Sequence, residues 1–184
     1  MIPVIVLLVV AGLLVVFIIS MYNRLVQARN QVKNAWSQID VQLKRRHDLI
    51  PNLIETVKGY MTHERELLEN ITKARSRAMQ AESVGERSQA ESELSGAMGQ
   101  FYVVVENYPD LKANENFLSL QEELTSTENR IGFARQYYND EVMKYNNRIQ
   151  MFPSNVIAGM FNFKQEDFFE IEDPGEREVP KVAF

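Results

Sequence analysis

The sequence contains no cysteine, so a disulfide framework, a zinc–thiolate site and a thiol nucleophile are all excluded. Histidine is scarce as well, since only His47 and His63 occur. A di-iron helical bundle needs a glutamate three residues before each histidine, but those positions hold Lys44 and Tyr60. The histidine pair of a zinc-protease helix is also incomplete, because Leu67 stands where the second histidine would be. We therefore predict no metal site.

The sequence offers equally little for catalysis. A serine nucleophile needs a positioned base, and the two histidines, both on predicted helices, suggest no Ser/His/Asp arrangement. The net charge of −5 argues against a broad phosphate-binding surface, so nucleic acid is not an expected partner. We predict that the protein is not an enzyme, holds no cofactor and has no small-molecule substrate.

Charged residues are missing from Met1 to Asn23, and Ile2 to Met21 is a run of about 20 apolar or small residues. Such a run matches the ~30 Å hydrocarbon thickness of a bilayer and predicts a transmembrane anchor over residues 1–23. The alternative is a cleaved signal peptide. That alternative is disfavoured because the run has no basic start, is long for the class and lacks a small-x-small cleavage site at Ile18–Met21.

Basic residues follow the apolar run: Arg24, Arg29 and Lys33 come first, and Lys44 to Arg46 lie further on. By the positive-inside rule this pattern predicts a single-pass protein of a bacterial inner membrane, with its N-terminus outside and its bulk in the cytoplasm. Tyr22 stands where an interfacial aromatic residue belongs. Arg24, Arg29 and Lys33 are also candidate lipid-facing bases, because a basic segment beside a membrane attracts anionic lipid.

After the anchor, apolar residues recur in steps of three or four, apart from one skipped turn, which predicts an amphipathic helix. Pro51 lies inside this run, but the apolar phase continues through it, so a kink is favoured over a stop. Gly59 and Thr62 leave a break open, since glycine weakens a helix and threonine can cap a new one. The seam consists of Leu25, Ala28, Val32, Trp36, Ile39, Leu43, Ile50, Leu53, Val57 and Tyr60, and continues at Leu67, Ile71, Ala74 and Ala78.

Two further long helices are expected. The second helix starts after Ser83 to Glu86 and ends before Tyr108-Pro109. The third runs from about Lys112 to Ile149 and is closed by Pro153. Apolar residues at helical spacing mark both: Leu94, Ala97, Phe101 and Val104, then Phe117, Leu120, Leu124, Ile131, Ala134, Tyr138, Val142 and Tyr145.

The end of the chain is predicted to be less regular. A short amphipathic helix over Ser154–Met160, capped by Ser154, would place Val156, Ile157 and Met160 against the bundle. Residues 164–184 are acidic, contain two prolines and show no periodicity. We expect a tail there, partly docked through Phe168, Phe169 and Ile171.

No segment alternates with the period of a β-strand, and no internal repeat is present. The predicted fold class is therefore all-α, with an N-terminal transmembrane helix followed by an antiparallel long-helix, up-and-down bundle. The domains are the anchor over residues 1–23, the bundle over 24–163 and the acidic tail over 164–184. Trp36 and Ile131 lie on apolar seams and are expected in the core.

The residues from Val32 to Tyr60, VKNAWSQIDVQLKRRHDLIPNLIETVKGY, resemble the signature of the LemA family. Four further stretches are similar to it: ENYPDLKA at Glu106, ENRI at Glu128, YYND at Tyr137 and YNNRIQMFP at Tyr145. The resemblance implies an N-terminal span, an up-and-down bundle and a bacterial membrane location, but no activity. It also implies two associations, one with membrane metalloproteases through gene neighbourhood and one with magnetosome membrane proteins that resemble the family.

The run Lys44-Arg45-Arg46-His47-Asp48 has two interpretations. It could be a partner-binding patch, but charged runs on helices usually form a solvated face with pairs such as Asp40–Lys44, and we favour that interpretation. Trp36 and the Tyr137-Tyr138 pair could likewise anchor a partner. Aromatic residues at seam spacing usually lie in the core, so we expect them there.

Helix lengths lead to a prediction of self-association. A first helix continuous from Arg24 to Gln80 would reach about 85 Å, and a second of about 20 residues would return only about 30 Å. The membrane-side part of the seam would then be uncovered within one subunit. Either a break near Gly59 folds the chain over this stripe, or neighbouring subunits pack their stripes as a coiled stalk, which we favour. The candidate contact residues are Leu25, Val32, Trp36 and Ile39.

The sequence thus favours a non-enzymatic, membrane-anchored helical scaffold or adaptor, which assembles with itself or with other membrane proteins at the cytoplasmic face. One alternative is a membrane-shaping protein that acts on anionic lipid through its basic first helix. Another is an adaptor of a membrane metalloprotease.

Overall fold

The computed structural model describes residues 2–170, and every regular element within them is a helix. The predicted all-α fold is thereby confirmed. The elements in chain order are α1 (Ile2–Val57), α2 (Arg65–Gln80), α3 (Val84–Val105), α4 (Pro109–Lys112), α5 (Glu115–Gln150) and α6 (Ser154–Met160).

The break that the sequence left open near Gly59 is present. Helix α1 continues through Pro51, as the apolar phase predicted, and ends at Val57. A turn closed by the hydrogen bonds from the Tyr60 and Met61 amides to the Val57 carbonyl follows, and α2 starts at Arg65. The later part of the seam therefore belongs to a separate helix, which packs against α3. The predicted second helix is α3, and its start is fixed by a capping box between Ser83 and Glu86.

The chain divides into two compact units. The anchor unit contains α1 up to Ile39 together with Ala134–Asp167. The ion-pair unit contains Asp40–Phe133, to which the described residues from Phe168 onward also belong. Each unit has buried side chains of its own.

In the anchor unit, the seam of α1 is buried within the single chain. Tyr138 on α5 packs beside Trp36, with ring centroids 5.3 Å apart. Phe161, which follows α5 in the chain, packs against Tyr22, which precedes Trp36 on α1. Helix α5 is therefore antiparallel to α1 in this unit. The buried apolar residues are Leu25, Ala28, Val32, Ala35 and Ile39 on α1 and Tyr138, Val142, Tyr145 and Ile149 on α5.

This burial corrects the expectation of an uncovered stripe. Leu25, Val32 and Ile39 are at most 3% exposed, and Trp36 is half-buried. The reason is the break near Gly59: it adds a helix to the path of the chain, so that α5 returns along α1. The length argument for a stalk of neighbouring subunits therefore fails, although self-association itself remains a prediction.

The core of the ion-pair unit is mostly aliphatic. It is built from the end of α1, α2, α3, α4 and the first half of α5, and its centre includes Leu53, Ile71, Leu94, Phe101 and Phe117, each fully buried. The two turns at its end meet, since the Tyr108 hydroxyl donates to a Glu64 carboxylate oxygen at 3.1 Å and the Asn114 amide to the Tyr60 hydroxyl at 3.1 Å. Ile131, expected in the core, is 1% exposed.

Candidate functional site

The apolar start of α1 is exposed from Ile2 to Phe17, and none of its residues is buried before Leu25. Its most apolar stretch has a mean hydropathy of 3.4, and none of that stretch is buried by the rest of the chain. By length and composition this part of α1 can cross a membrane. Burial begins directly after it, with Leu25 at 1% exposure, so the seam starts within the same helix and no linker intervenes.

An aromatic cluster marks the end of the apolar stretch. The Tyr22 ring packs against Phe161 at 4.7 Å and Phe163 at 5.8 Å between centroids. The Arg29 guanidinium lies 5.1 Å from the centre of the Phe163 ring, which is a cation–π contact. Of the three candidate lipid-facing bases, Arg24 and Lys33 are exposed, whereas Arg29 is half-buried in this contact.

Helix α6 ends in a chain reversal closed by two backbone hydrogen bonds. The Phe163 amide donates to the Ala158 carbonyl at 2.9 Å and the Asn162 amide to the Gly159 carbonyl at 3.3 Å. This is a Schellman motif, and Asn162 occupies its left-handed position with a φ of 54°. Because the chain turns there, Phe161 and Phe163 both reach Tyr22.

Hydrogen bonds from α5 then fix the segment that follows α6. The Tyr145 hydroxyl donates to the Lys164 carbonyl at 2.9 Å and the Tyr138 hydroxyl to the Asp167 carbonyl at 2.8 Å. The Asn146 amide completes the set by pairing with both the amide and the carbonyl of Glu166. Burial, with the nearby Glu166 and Asp167 carboxylates, raises the pKa of Tyr138 to about 12.

Two predictions about α6 are wrong. Ser154 does not cap the helix, because its hydroxyl donates backward to the Arg148 and Met151 carbonyls. Val156 and Met160 do not face the bundle but are 52% and 68% exposed. Ile157 is buried as expected, but the phase of the helix is rotated so that Ala158 is buried beside it in place of Val156 and Met160.

The ion-pair unit contains a buried cluster of charged side chains. The Glu91 carboxylate on α3 is fully buried, and its Oε1 lies 2.7 Å from the His47 Nε2. The Arg46 guanidinium lies 3.5 Å from the other carboxylate oxygen, donates to the Ser95 hydroxyl at 3.0 Å and pairs with Glu128 at 2.6 Å. Arg46 is 3% exposed, so the interpretation of this run as a solvated face is wrong for Arg46 and His47.

The other expected surface pair also differs. Asp40 pairs with Arg87 of α3 rather than with Lys44. The end of the described chain reaches the neighbouring turn of α3, where the Ser88 hydroxyl donates to the Glu170 carbonyl. Phe169 is fully buried and Phe168 is 41% exposed, while Ile171 lies outside the described residues.

Pro51 shapes the helix next to this cluster. A proline has no amide proton, so the His47 carbonyl four residues earlier loses its helical hydrogen bond. Arg75 of α2 replaces that donor, with its Nε 2.6 Å from the His47 oxygen. The carbonyl that Pro51 leaves without a helical donor thus gives α2 a polar attachment point on α1.

A cavity of about 300 Å³ opens beside the buried cluster. Arg46, Ser95 and Glu128 supply its polar wall, and Met98 and Leu124 its apolar wall. Tyr102 also lines it, and burial raises the pKa of the Tyr102 hydroxyl, with the Glu128 carboxylate adding to the rise and the Arg46 charge opposing it. The chemistry available is charge pairing and hydrogen bonding. Within residues 2–170, no group of three or more His, Asp or Glu is placed to hold a metal.

These features define a class of protein: an all-helical bundle whose first helix is long and apolar enough to cross a membrane. Such an architecture indicates a membrane-associated protein. The LemA family model matches residues 35–184, so the chain belongs to the LemA family.

Known relatives agree with this assignment. Protein LemA of Metamycoplasma hominis is 28% identical over 153 residues, which cover 82% of this chain and 69% of that protein. Magnetosome protein MamQ 2 of Paramagnetospirillum magneticum is 23% identical, over 86% of this chain and 68% of its own length. Magnetosome protein MamQ of Magnetospirillum gryphiswaldense is 22% identical, over 90% and 72%.

Proposed function

We propose that the protein is a non-enzymatic, membrane-anchored helical scaffold or adaptor at the cytoplasmic face, where it assembles with itself or with other membrane proteins. The observation that supports this most is the direct passage of α1 from its exposed apolar stretch into the buried seam at Leu25. A helix that enters the bundle without a linker holds the folded domain at the bilayer surface, whereas a flexible linker would let it diffuse away.

The exposed surface of the ion-pair unit offers a candidate contact for a partner. Phe133 on α5 is 74% exposed, and aromatic side chains are enriched in protein interfaces. This residue replaces the stripe of Leu25, Val32 and Ile39 as the preferred position to examine, because the stripe is covered by the chain itself.

A photo-crosslinking amino acid at Phe133 of the full chain, irradiated in native membranes, tests the proposal. We expect a crosslinked product that mass spectrometry identifies as a second copy or as another membrane protein, together with a larger-than-monomer mass by light scattering after gentle solubilisation. Met79, a 52% exposed apolar residue of α2 in the same unit, is the matched control position. A monomeric mass without a product at Phe133 would overturn the scaffold proposal.

The orientation is tested separately. The exposed bases Arg24 and Lys33, directly after the apolar stretch, support a cytoplasmic bundle. A pair of C-terminal reporters should therefore give a fluorescent fusion and an inactive alkaline phosphatase fusion. Phosphatase activity with a dark fluorescent fusion would place the bundle outside.

A further inference from the structure

The segment from Met151 to Phe161 exposes an unusual amount of apolar surface. Phe152 is 81% exposed, Met160 68% and Met151 64%, and Val156 and Phe161 are each at least half exposed. No charged residue occurs between Arg148 and Lys164. A group of large apolar side chains this exposed is expected to be covered by something other than water.

The position of this segment points to what covers it. Phe161 packs against Tyr22, the tyrosine at the end of the apolar stretch of α1. Tyrosine prefers the boundary between the hydrocarbon and the headgroups of a bilayer. When α1 spans a membrane, the Met151–Phe161 segment therefore lies at the level of that boundary, beside the span and on the same side as the bundle.

The segment is also held so that its apolar side faces outward. Ile157 and Ala158 are buried against the anchor unit, and the hydrogen bonds of Tyr145 and Asn146 fix the chain immediately after α6. Val156 and Met160, four residues apart, share the opposite face of α6. Because this surface is already ordered, it loses little conformational entropy when it contacts a ligand.

We propose that Met151–Phe161 is a second membrane-contacting element, which inserts its apolar side chains into the lipid interface next to the α1 span. Short apolar faces bury themselves to about 5–10 Å at the headgroup boundary. The exposed bases that flank the segment, Arg148 and Lys164, can reach lipid phosphates from there. The element would fix the tilt and rotation of the bundle on the membrane, which a single span leaves free. This inference requires the membrane span but not a protein partner.

The absence of cysteine makes the test direct, since one introduced cysteine carries the only label. Phe152→Cys and Met160→Cys are labelled with a polarity-sensitive fluorophore in the full chain and reconstituted into phosphatidylcholine vesicles at high lipid excess. Both labels should show blue-shifted emission. Lipids with a nitroxide near the headgroup end of the acyl chain should quench most of this emission, whereas aqueous iodide should quench little of it.

Tyr137→Cys is the matched control, because its side chain is 43% exposed on the same unit and lies about 20 Å from Met151 along α5. Its label should be quenched by iodide and not by the nitroxide lipid. Iodide quenching at both Phe152 and Met160 would place the segment in water. Protection from both quenchers would mean that protein covers it. Either result overturns the proposal, provided that circular dichroism shows wild-type helicity in the labelled variants.

Discussion

The two units bury the same helix in different ways. In the anchor unit, the side chains that α1 buries from Leu25 to Ile39 are all apolar, and Arg29 is only half-buried, against the Phe163 ring. In the ion-pair unit, the continuation of the same helix buries Arg46 and His47 against Glu91 as well. Apolar burial is non-directional and tolerates small shifts of register. A buried charge is tolerated only when its partner meets it, so the cluster ties one turn of α1 to one turn of α3.

The strongest test of this contrast removes one charge of the cluster. Glu91→Leu leaves the buried Arg46 without its buried carboxylate, and we expect a loss of about 3–5 kcal/mol in the free energy of unfolding. Chemical unfolding of the full chain in detergent, followed by circular dichroism, measures it. The exposed Arg77–Glu93 pair is the control, because Glu93→Leu should cost less than about 1 kcal/mol.

A triple variant shows whether the cluster serves stability or register. Arg46→Met, His47→Leu and Glu91→Leu together should regain most of the loss, because apolar residues of similar volume often match or exceed a buried ion pair. If the triple variant stays as unstable as Glu91→Leu alone, apolar residues do not replace the cluster, and the cluster stabilises the fold outright instead of only setting the register of α1 on α3.

Packing in the ion-pair unit is tested on α5. Ile131→Ala removes a side chain that is 1% exposed and should cost about 2–5 kcal/mol. Phe133→Ala, two residues further on and 74% exposed, should change the unfolding free energy little. Equal losses at both positions would show that the exposed Phe133 is covered in the folded protein, and would favour it as a contact.

The attachment of α2 to the His47 carbonyl predicts a non-additive pair of substitutions. Arg75→Met leaves the His47 carbonyl without its donor and should cost about 1–3 kcal/mol. Pro51→Ala restores an amide proton that can serve the same carbonyl, so Arg75→Met should cost clearly less in the Pro51→Ala background. Strictly additive effects in this double-mutant cycle, measured by the same unfolding assay, would disprove the exchange of donors.

The smallest expected effect concerns pH and the anchor unit. The folded-state pKa of Tyr138, about 12, lies above the ordinary tyrosine value of 10.0, so the folded state holds this proton more tightly. Its contribution to stability is complete below pH 10 and is lost as the pH rises through about 12. Tyr138→Phe should therefore flatten the alkaline fall of the melting temperature. An unchanged slope for Tyr138→Phe would contradict the assignment.

Sequence periodicity predicted the helices well because apolar residues at steps of three and four indicate one face of an amphipathic helix. It missed the buried cluster, although a signal was present. The seam skips one turn between Leu43 and Ile50, and Arg46 and His47 occupy that turn. Their partner Glu91 stands three residues before the buried Leu94, in phase with the apolar face of α3. Periodicity alone does not distinguish a charge paired in the core from one in water.

By itself, the sequence determined the apolar stretch of α1, the all-helical class, the passage of α1 through Pro51 and the family, because each depends on local composition and spacing. Only the tertiary structure decided whether the chain breaks near Gly59, and with it whether α5 covers the seam at Leu25 and Ile39. It also decided which face of α6 is exposed and where Arg46 finds its partners. These outcomes depend on contacts between residues far apart in the chain, whose free energies no local pattern records.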